Sequence, residues 1–345
     1  MIYCGMDVSS KSFQIHAIDG QKKVICKEEI KPNKTALSAL RGALGKEHVL
    51  FVFEAGNQMK WIADHIKKMS NTSLHIVHPN EIKWISQSSG KTDKIDARKL
   101  AELARGDMLP RKVHVVEGVA RDLREIASAR QLIQSKRISL INSIRGFCKQ
   151  EGHTLPEGFF GRKDWKLGLS KLRLSPTLRQ IIESIMPAFE ALIDAEEKLT
   201  KQLCSIKDER IELVETIPAI GKLSSRVIVG ALDDVKRFDN KKTVAKYGAL
   251  TPRLYQSGDL LRMGRIANDG RHEVRKILLQ SAHAIARMKA AEAKPLQDFY
   301  ERIKKKAGKK RALIALCRKL LTTVYGVLKN AKAYDPRMLL ADRAA

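Results

Sequence analysis

The pattern of apolar and polar positions opens with three β-like runs, Ile2 to Val8, Ser12 to Ile18 and Lys23 to Ile30, with Asp19-Gly20-Gln21 as the turn between the second and third. Together they predict an antiparallel meander. Helical spacing follows from the capping-type Asn33 to Leu44, then an apolar strand over His48 to Phe53, a helix over Gln58 to Met69 and a short strand over Leu74 to His78. Pro79 ends that strand, and the segment up to Met108 has helical character on both sides of a break at Ser88 to Gly90.

The order β-β-β-α-β-α-β-α resembles the ribonuclease H fold, in which the first and fourth strands are neighbours at the centre of the sheet. Four acids fall at telling places. Asp7 lies inside the first apolar strand, Glu54 directly follows the fourth, and Asp93 and Asp96 stand three apart at a helix start, on one face. A carboxylate within an apolar strand is costly to bury alone. Four crowded carboxylates repel one another unless divalent cations compensate them, and oxygen-only ligands favour Mg²⁺, with Mn²⁺ as a substitute. Two such ions about 4 Å apart suit phosphodiester transfer. Taken singly, Asp93 and Asp96 are better read as helix-start acids facing the dipole, and Glu54 is also readable as an ordinary strand-end acid.

From Val116 to Gly152 apolar residues recur at helical spacing, interleaved with Arg124, Arg130, Lys136, Arg137 and Arg145. After a loop with Pro156, Gly158 and Gly161, the periodicity resumes from Leu174 to about Val214, so the pair is expected to form a coiled-coil hairpin. It serves either as a spacer or as a basic arm for dimerisation or nucleic acid. Thr216 to Lys222, followed by a helix, looks like a helix-hairpin-helix element whose turn offers N–H groups to a phosphate; a purely structural hairpin is the alternative. Between Tyr247 and Leu279 the chain reads as a basic, Gly-punctuated loop before a helix, and a lone Ser257-Gly258 in it is by itself ordinary turn chemistry.

The 345 residues exceed what one core usually organises, so several units are expected. Their 65 Lys and Arg against 38 Asp and Glu leave a net charge of +27, which points to a polyanionic partner. The longest apolar runs are too short for a membrane span, and Met1 to Asp7 has the character of a strand rather than a signal peptide, so a cytoplasmic nucleic-acid-binding protein is expected. The five cysteines are scattered without zinc-type spacing and are expected to be reduced thiols.

The motifs Gly5-Met6-Asp7-Val8-Ser9, Phe53-Glu54-Ala55-Gly56, Lys91 to Ala97, Ile217 to Gly221, the Ser257 loop, Lys309 to Leu313 and Tyr334-Asp335-Pro336 span nearly the whole chain. In that order they resemble the IS110 family of insertion-sequence transposases, relatives of the pilin-gene invertase. The resemblance implies a RuvC-like domain over 1–112, a coiled-coil insertion over 113–210 and a mainly helical transposase domain over 211–337. It further implies that Asp7, Glu54, Asp93 and Asp96 are a DEDD metal tetrad, that Ser257 forms a phosphoserine link with a cut DNA strand, and that a structured bridge RNA guides a dimer or tetramer. Two departures stand out: Ala219 occupies a usual glycine position, and Gln256 replaces the first of two serines, leaving Ser257 as the one candidate.

Lys222, Arg253, Arg262, Arg265, Arg271, Arg275, Lys309, Lys310 and Arg311 are the expected phosphate contacts, each also readable as a solvated surface charge. Three competing functions remain: an invertase of the same family, a resolvase-like nuclease that hydrolyses with water, and a non-catalytic nucleic-acid binder.

Overall fold

β1 (Ile2–Val8) and β2 (Phe13–Ile18) pair antiparallel, and β3 (Val24–Ile30) adds antiparallel to β2. The Asp19 carboxylate builds the second turn by accepting the N–H groups of Gln21 and Lys23, both at 2.9 Å. β4 (Val49–Glu54) then lies parallel to β1, and β5 (Thr72–Val77) parallel to β4. The resulting order is β3-β2-β1-β4-β5, with the first and fourth strands adjacent at the centre. In this computed structural model residues 1–82, 93–257, 260–267 and 269–337 are described, with the side chains at 93–95, 254, 256, 257, 260 and 261 excepted.

Strands buried on both faces need apolar residues at every position, which is why Val49 to Phe53 shows no alternation. On one face, α1 (Lys34–Ala43) and α2 (Met59–Ile66) enclose Met6, Phe51 and Phe53 with Leu37, Leu40 and Ile62. Asn33 caps α1, accepting the Ala36 N–H at 2.8 Å. On the other face, α3 (Asp93–Arg105) packs Leu100, Leu103 and Ala104 on Tyr3, Leu50 and Val52. A Cβ at Gly5 would stand 2.0 Å from the Ala97 carbonyl oxygen and 2.7 Å from the Ala101 nitrogen, so only glycine admits α3 at this distance. A single 3-10 turn, Pro79–Glu81, follows β5, and Ser88 to Gly90 with the rest of the helical character expected upstream of Asp93 lie outside the described residues.

These elements form one of two compact units, Met1–Val115; the second is Val116–Ala345. The second opens with α4 (Gly118–Gln150), followed by α5 (Trp165–Ser170) and α6 (Pro176–Ser205). α4 and α6 run antiparallel, with Ile144 and Cys148 packed among Ile182 and Phe189. Nearer the hairpin base, the buried Glu196 accepts from Arg130 at 2.9 Å and Arg137 at 2.7 Å. Those two arginines, read from sequence as part of a basic face, are therefore turned into the hairpin. Helical spacing from Leu174 to Val214 is also interrupted: α7 (Glu209–Glu215) begins afresh where Asp208 accepts the Arg210 N–H at 2.9 Å.

α8 (Lys222–Leu232), α9 (Lys241–Tyr247), α10 (His272–Ile285), α11 (Lys294–Ala307) and α12 (Lys309–Asn330) build the remaining core around Leu232, Leu278, Leu316 and Leu320. The stretch expected as a loop after Tyr247 instead forms a two-stranded ribbon, β6 (Pro252–Ser257) with β7 (Leu260–Ile266). Among the described residues no helix is long and apolar enough to cross a membrane.

Candidate active site

The acids are positioned by strand register. Met6 pairs with Phe53 in the parallel β1–β4 ladder, so Asp7 and Glu54 are the next residues of adjacent strands, at their C-terminal ends. Alternation decides their direction. Met6 and Phe53 point to the α1/α2 face, whereas Tyr3 and Leu50 point to α3; Asp7 and Glu54 share the parity of the latter pair. The close contact at Gly5 brings the helix bearing Asp96 onto the same face. All three carboxylates are half-buried. The strand ends are further tied together where the Gln58 side-chain amide donates to the Ser9 carbonyl at 2.6 Å.

Asp96 Oδ1 is buried without a hydrogen-bond partner, a costly state for an anion. Among the described side chains no set of three or more His, Cys, Asp or Glu groups is gathered at ion-holding distance, and that of Asp93 lies outside the description. The donors nonetheless fit a hard divalent cation: they are all oxygens, on one face, with one buried oxygen left unsatisfied. Behind them on the same face is His16, opposite Gly5 on β2, with Nδ1 buried and unpartnered. Burial, then the charges of Arg98 and Lys27, hold its imidazole below the ordinary pKa.

Ser257 closes β6 and pairs with Leu260 across the ribbon, while its side chain is outside the description. Arg253, Arg262 and Arg265 are exposed along the two strands, and Lys222, Lys309, Lys310 and Arg311 are exposed at the starts of α8 and α12. Arg265, Lys310 and Arg311 line one cleft of about 680 Å³ with Pro252, Met263 and Ile314. Arg271 and Arg275 differ from the others. Arg271 donates to the Tyr247 hydroxyl at 3.2 Å and pairs with Glu273 at 3.3 Å, and Arg275 donates to the Ala249 carbonyl at 3.3 Å. Both serve to hold the ribbon's stem.

That stem contains a cluster that the sequence did not reveal. Tyr247 is ringed by Arg271, Arg124 and Arg237, and its hydroxyl donates to the Ala231 carbonyl at 2.9 Å. Burial raises the phenol's pKa, but the three guanidiniums together outweigh it and leave it lowered. Nothing in the linear spacing of these four residues signals their meeting. Gly5 did carry a signal, since an isolated glycine in an apolar strand marks close backbone approach.

The sequence profile described as "Transposase IS116/IS110/IS902 family" matches residues 211–300, and a second transposase profile, of the DEDD type of the same family, matches residues 4–151. The chain belongs to this transposase family. The first match covers the helix-hairpin-helix-like turn, the ribbon and α10; the second covers the sheet, its acids and α4. A transposase for insertion sequence element IS1111A of Coxiella burnetii is 24% identical over 96% of this chain and 90% of its own length. A transposase for insertion sequence element IS1328 of Yersinia enterocolitica is 20% identical over 81% of this chain and 82% of its own. A pilin gene-inverting protein of Moraxella bovis is 32% identical, over 38% of this chain and 40% of its own length. This transposase therefore has relatives of the same kind along most of its chain, with a closer likeness to an inverting protein over a shorter part.

Proposed function

We propose that this transposase is a cytoplasmic DNA recombinase that cuts and rejoins strands at an insertion sequence, using an RNase H-like acid site and a serine nucleophile. The observation that carries the reading is the side-by-side placement of Asp7 and Glu54 at the ends of two central parallel strands, with the Asp96 helix against the same face. Asp7, Glu54, Asp93 and Asp96 would hold Mg²⁺ or Mn²⁺; when bound, such ions neutralise charge at a phosphate and ease deprotonation of an oxygen nucleophile. The carboxylates' part is to fix that charge at one point of a buried face.

Ser257 supplies the hydroxyl. Its oxygen bonds to phosphorus as the bond to the leaving sugar oxygen breaks, and the phosphoserine link conserves a bond for rejoining. Arg253, Arg262, Arg265, Lys222, Lys309, Lys310 and Arg311 are exposed cations for flanking phosphates, which implies steep salt dependence. A bridge RNA, a dimer or tetramer, and the three-part division at 112 and 210 rest on the family resemblance. Inversion by the same chemistry is supported by the Moraxella bovis relative.

The test is a strand-transfer assay on DNA flanking the gene, in Mg²⁺, with mass spectrometry of the protein. Wild type should carry nucleotide on Ser257, and Ser257→Ala should lose both adduct and joined product. Cleavage by Ser257→Ala at the wild-type rate would instead establish the water-using nuclease, and unimpaired function in Asp7→Asn would leave only a nucleic-acid binder.

A further inference from the structure

The β6–β7 ribbon displays an aromatic side chain that its own packing does not require. Tyr255 stands on β6 opposite Arg262 and is 57% exposed, although aromatic rings ordinarily bury most of their surface or meet a partner. One side of the ring is accounted for. A Cβ at Gly264 would lie 2.9 Å from Tyr255 Cε2 and 3.6 Å from the Cβ of Arg253, so the ring is seated on bare glycine backbone beside the root of that arginine. Arg253 and Arg262 flank it, both exposed. From Pro252 to Ile266 the sequence holds three arginines and one acid, Asp259.

An aromatic face open to solvent on a strand pair that also displays arginines is the arrangement that stacks an unpaired base while the cations take its phosphates, without regard to base identity. We propose that Tyr255 is the stacking platform for one unpaired nucleobase of the DNA strand, with Arg253 and Arg262 on the adjoining phosphates. This inference rests on the reading of Ser257 given above. Ser257 is two residues further along the same strand, roughly 7 Å away, a reach that lies within one nucleotide. The stacked base therefore belongs to a nucleotide next to the one attacked. Gly264 is a positioning residue for the ring. Because a duplex must first unstack to offer a base, the platform favours single strands.

The experiment uses the full-length protein and an oligothymidylate carrying one 2-aminopurine, alongside its duplex and an oligouridylate of equal length. Wild type should bind the single DNA strand and quench the 2-aminopurine. Tyr255→Leu should bind that strand about ten-fold more weakly and lose the quench, with duplex affinity little changed. Tyr255→Phe and Tyr255→Trp should retain both. Gly264→Ala, which displaces the ring, should weaken binding in the wild-type background and add nothing to Tyr255→Leu; unchanged melting temperatures confirm that each variant folds.

The inference is overturned if Tyr255→Leu binds as wild type does, if Tyr255→Phe is as weak as Tyr255→Leu, or if the effect is confined to oligouridylate. The two readings fail separately. Ser257→Ala that keeps the quench but still forms adduct refutes the nucleophile and supports the platform, whereas Ser257→Ala without adduct and without a Tyr255-dependent quench does the reverse. A wild-type protein with no affinity for the single strand overturns the platform and leaves the nucleophile to be decided by the adduct assay.

Discussion

Two regions carry the chemistry proposed for this transposase, and they are built by opposite rules. Asp7 and Glu54 extend from the middle of a five-stranded sheet covered on both faces, and α3 is pressed against β1 so closely that Gly5 cannot carry a side chain. The β6–β7 ribbon has two strands, an exposed Met263 at 73% and an exposed Tyr255. Two strands alone are marginally stable in water. On the proposed reading the contrast separates two tasks: a charge site gains from being formed before substrate arrives, because preorganised carboxylates need no rearrangement, whereas a surface that handles strands of varied sequence gains from exposed rings and cations.

The widest separation between the regions should come from Asp7→Asn. Strand cleavage is expected to fall by on the order of a thousand-fold or more, with DNA binding retained and no rescue by Mn²⁺, in a cleavage assay run beside a gel-shift titration. Retained cleavage would dissolve the distinction at once. Next in size, Gly5→Ala should destabilise the protein by about 3 kcal/mol, since a methyl group would meet the Ala97 and Ala101 backbone, while Met263→Ser on the ribbon should stay within about 0.5 kcal/mol; urea unfolding compares them directly.

A smaller effect should follow acidity. The His16 imidazole is held below its ordinary pKa of 6.5 in the fold, so below that value the unfolded chain takes up a proton that the folded one resists. Stability should thus decline as pH falls from about 7 to about 5.5, and His16→Gln should flatten the decline, measured by urea midpoints at each pH. Smallest of all, Ala219→Gly should stabilise by roughly 1 kcal/mol, because Ala219 has φ 61°, a left-handed conformation that strains any residue with a Cβ; calorimetry would record the rise in melting temperature.

The N-terminal unit was largely legible because its signals are local. Asp19 and Asn33 punctuate the elements with their own hydrogen bonds, and an unbroken apolar run is what a strand buried on both faces must show. The acids could be located on that frame, since strand parity fixes the face. The second unit yielded less. The ribbon's strands are short, rich in arginine and interrupted by Gly264, so no buried face imposes a period of two. Ile206 turns extended and ends one helix, and Asp208 caps the next, without disturbing the apolar spacing on either side. Arg124, Arg130 and Arg137 resembled solvated charges because their partners are contributed by segments about 60 to more than 100 positions away.

Arg124 also has a mechanical meaning. It lies near one end of a 33-residue helix, about 50 Å of nearly incompressible rod, and clamps that end by donating to the Gly230 and Ala231 carbonyls at 3.1 and 2.9 Å and to the Tyr247 hydroxyl at 3.3 Å. Gly230 has no room even for a methyl group against Leu123. The Tyr247 backbone carbonyl in turn accepts the Arg271 backbone N–H at 2.7 Å, closing the neck from which the ribbon emerges. The helix is accordingly a lever with its fulcrum at that neck: a load applied to its distal tip arrives as torque where β6 and β7 are rooted.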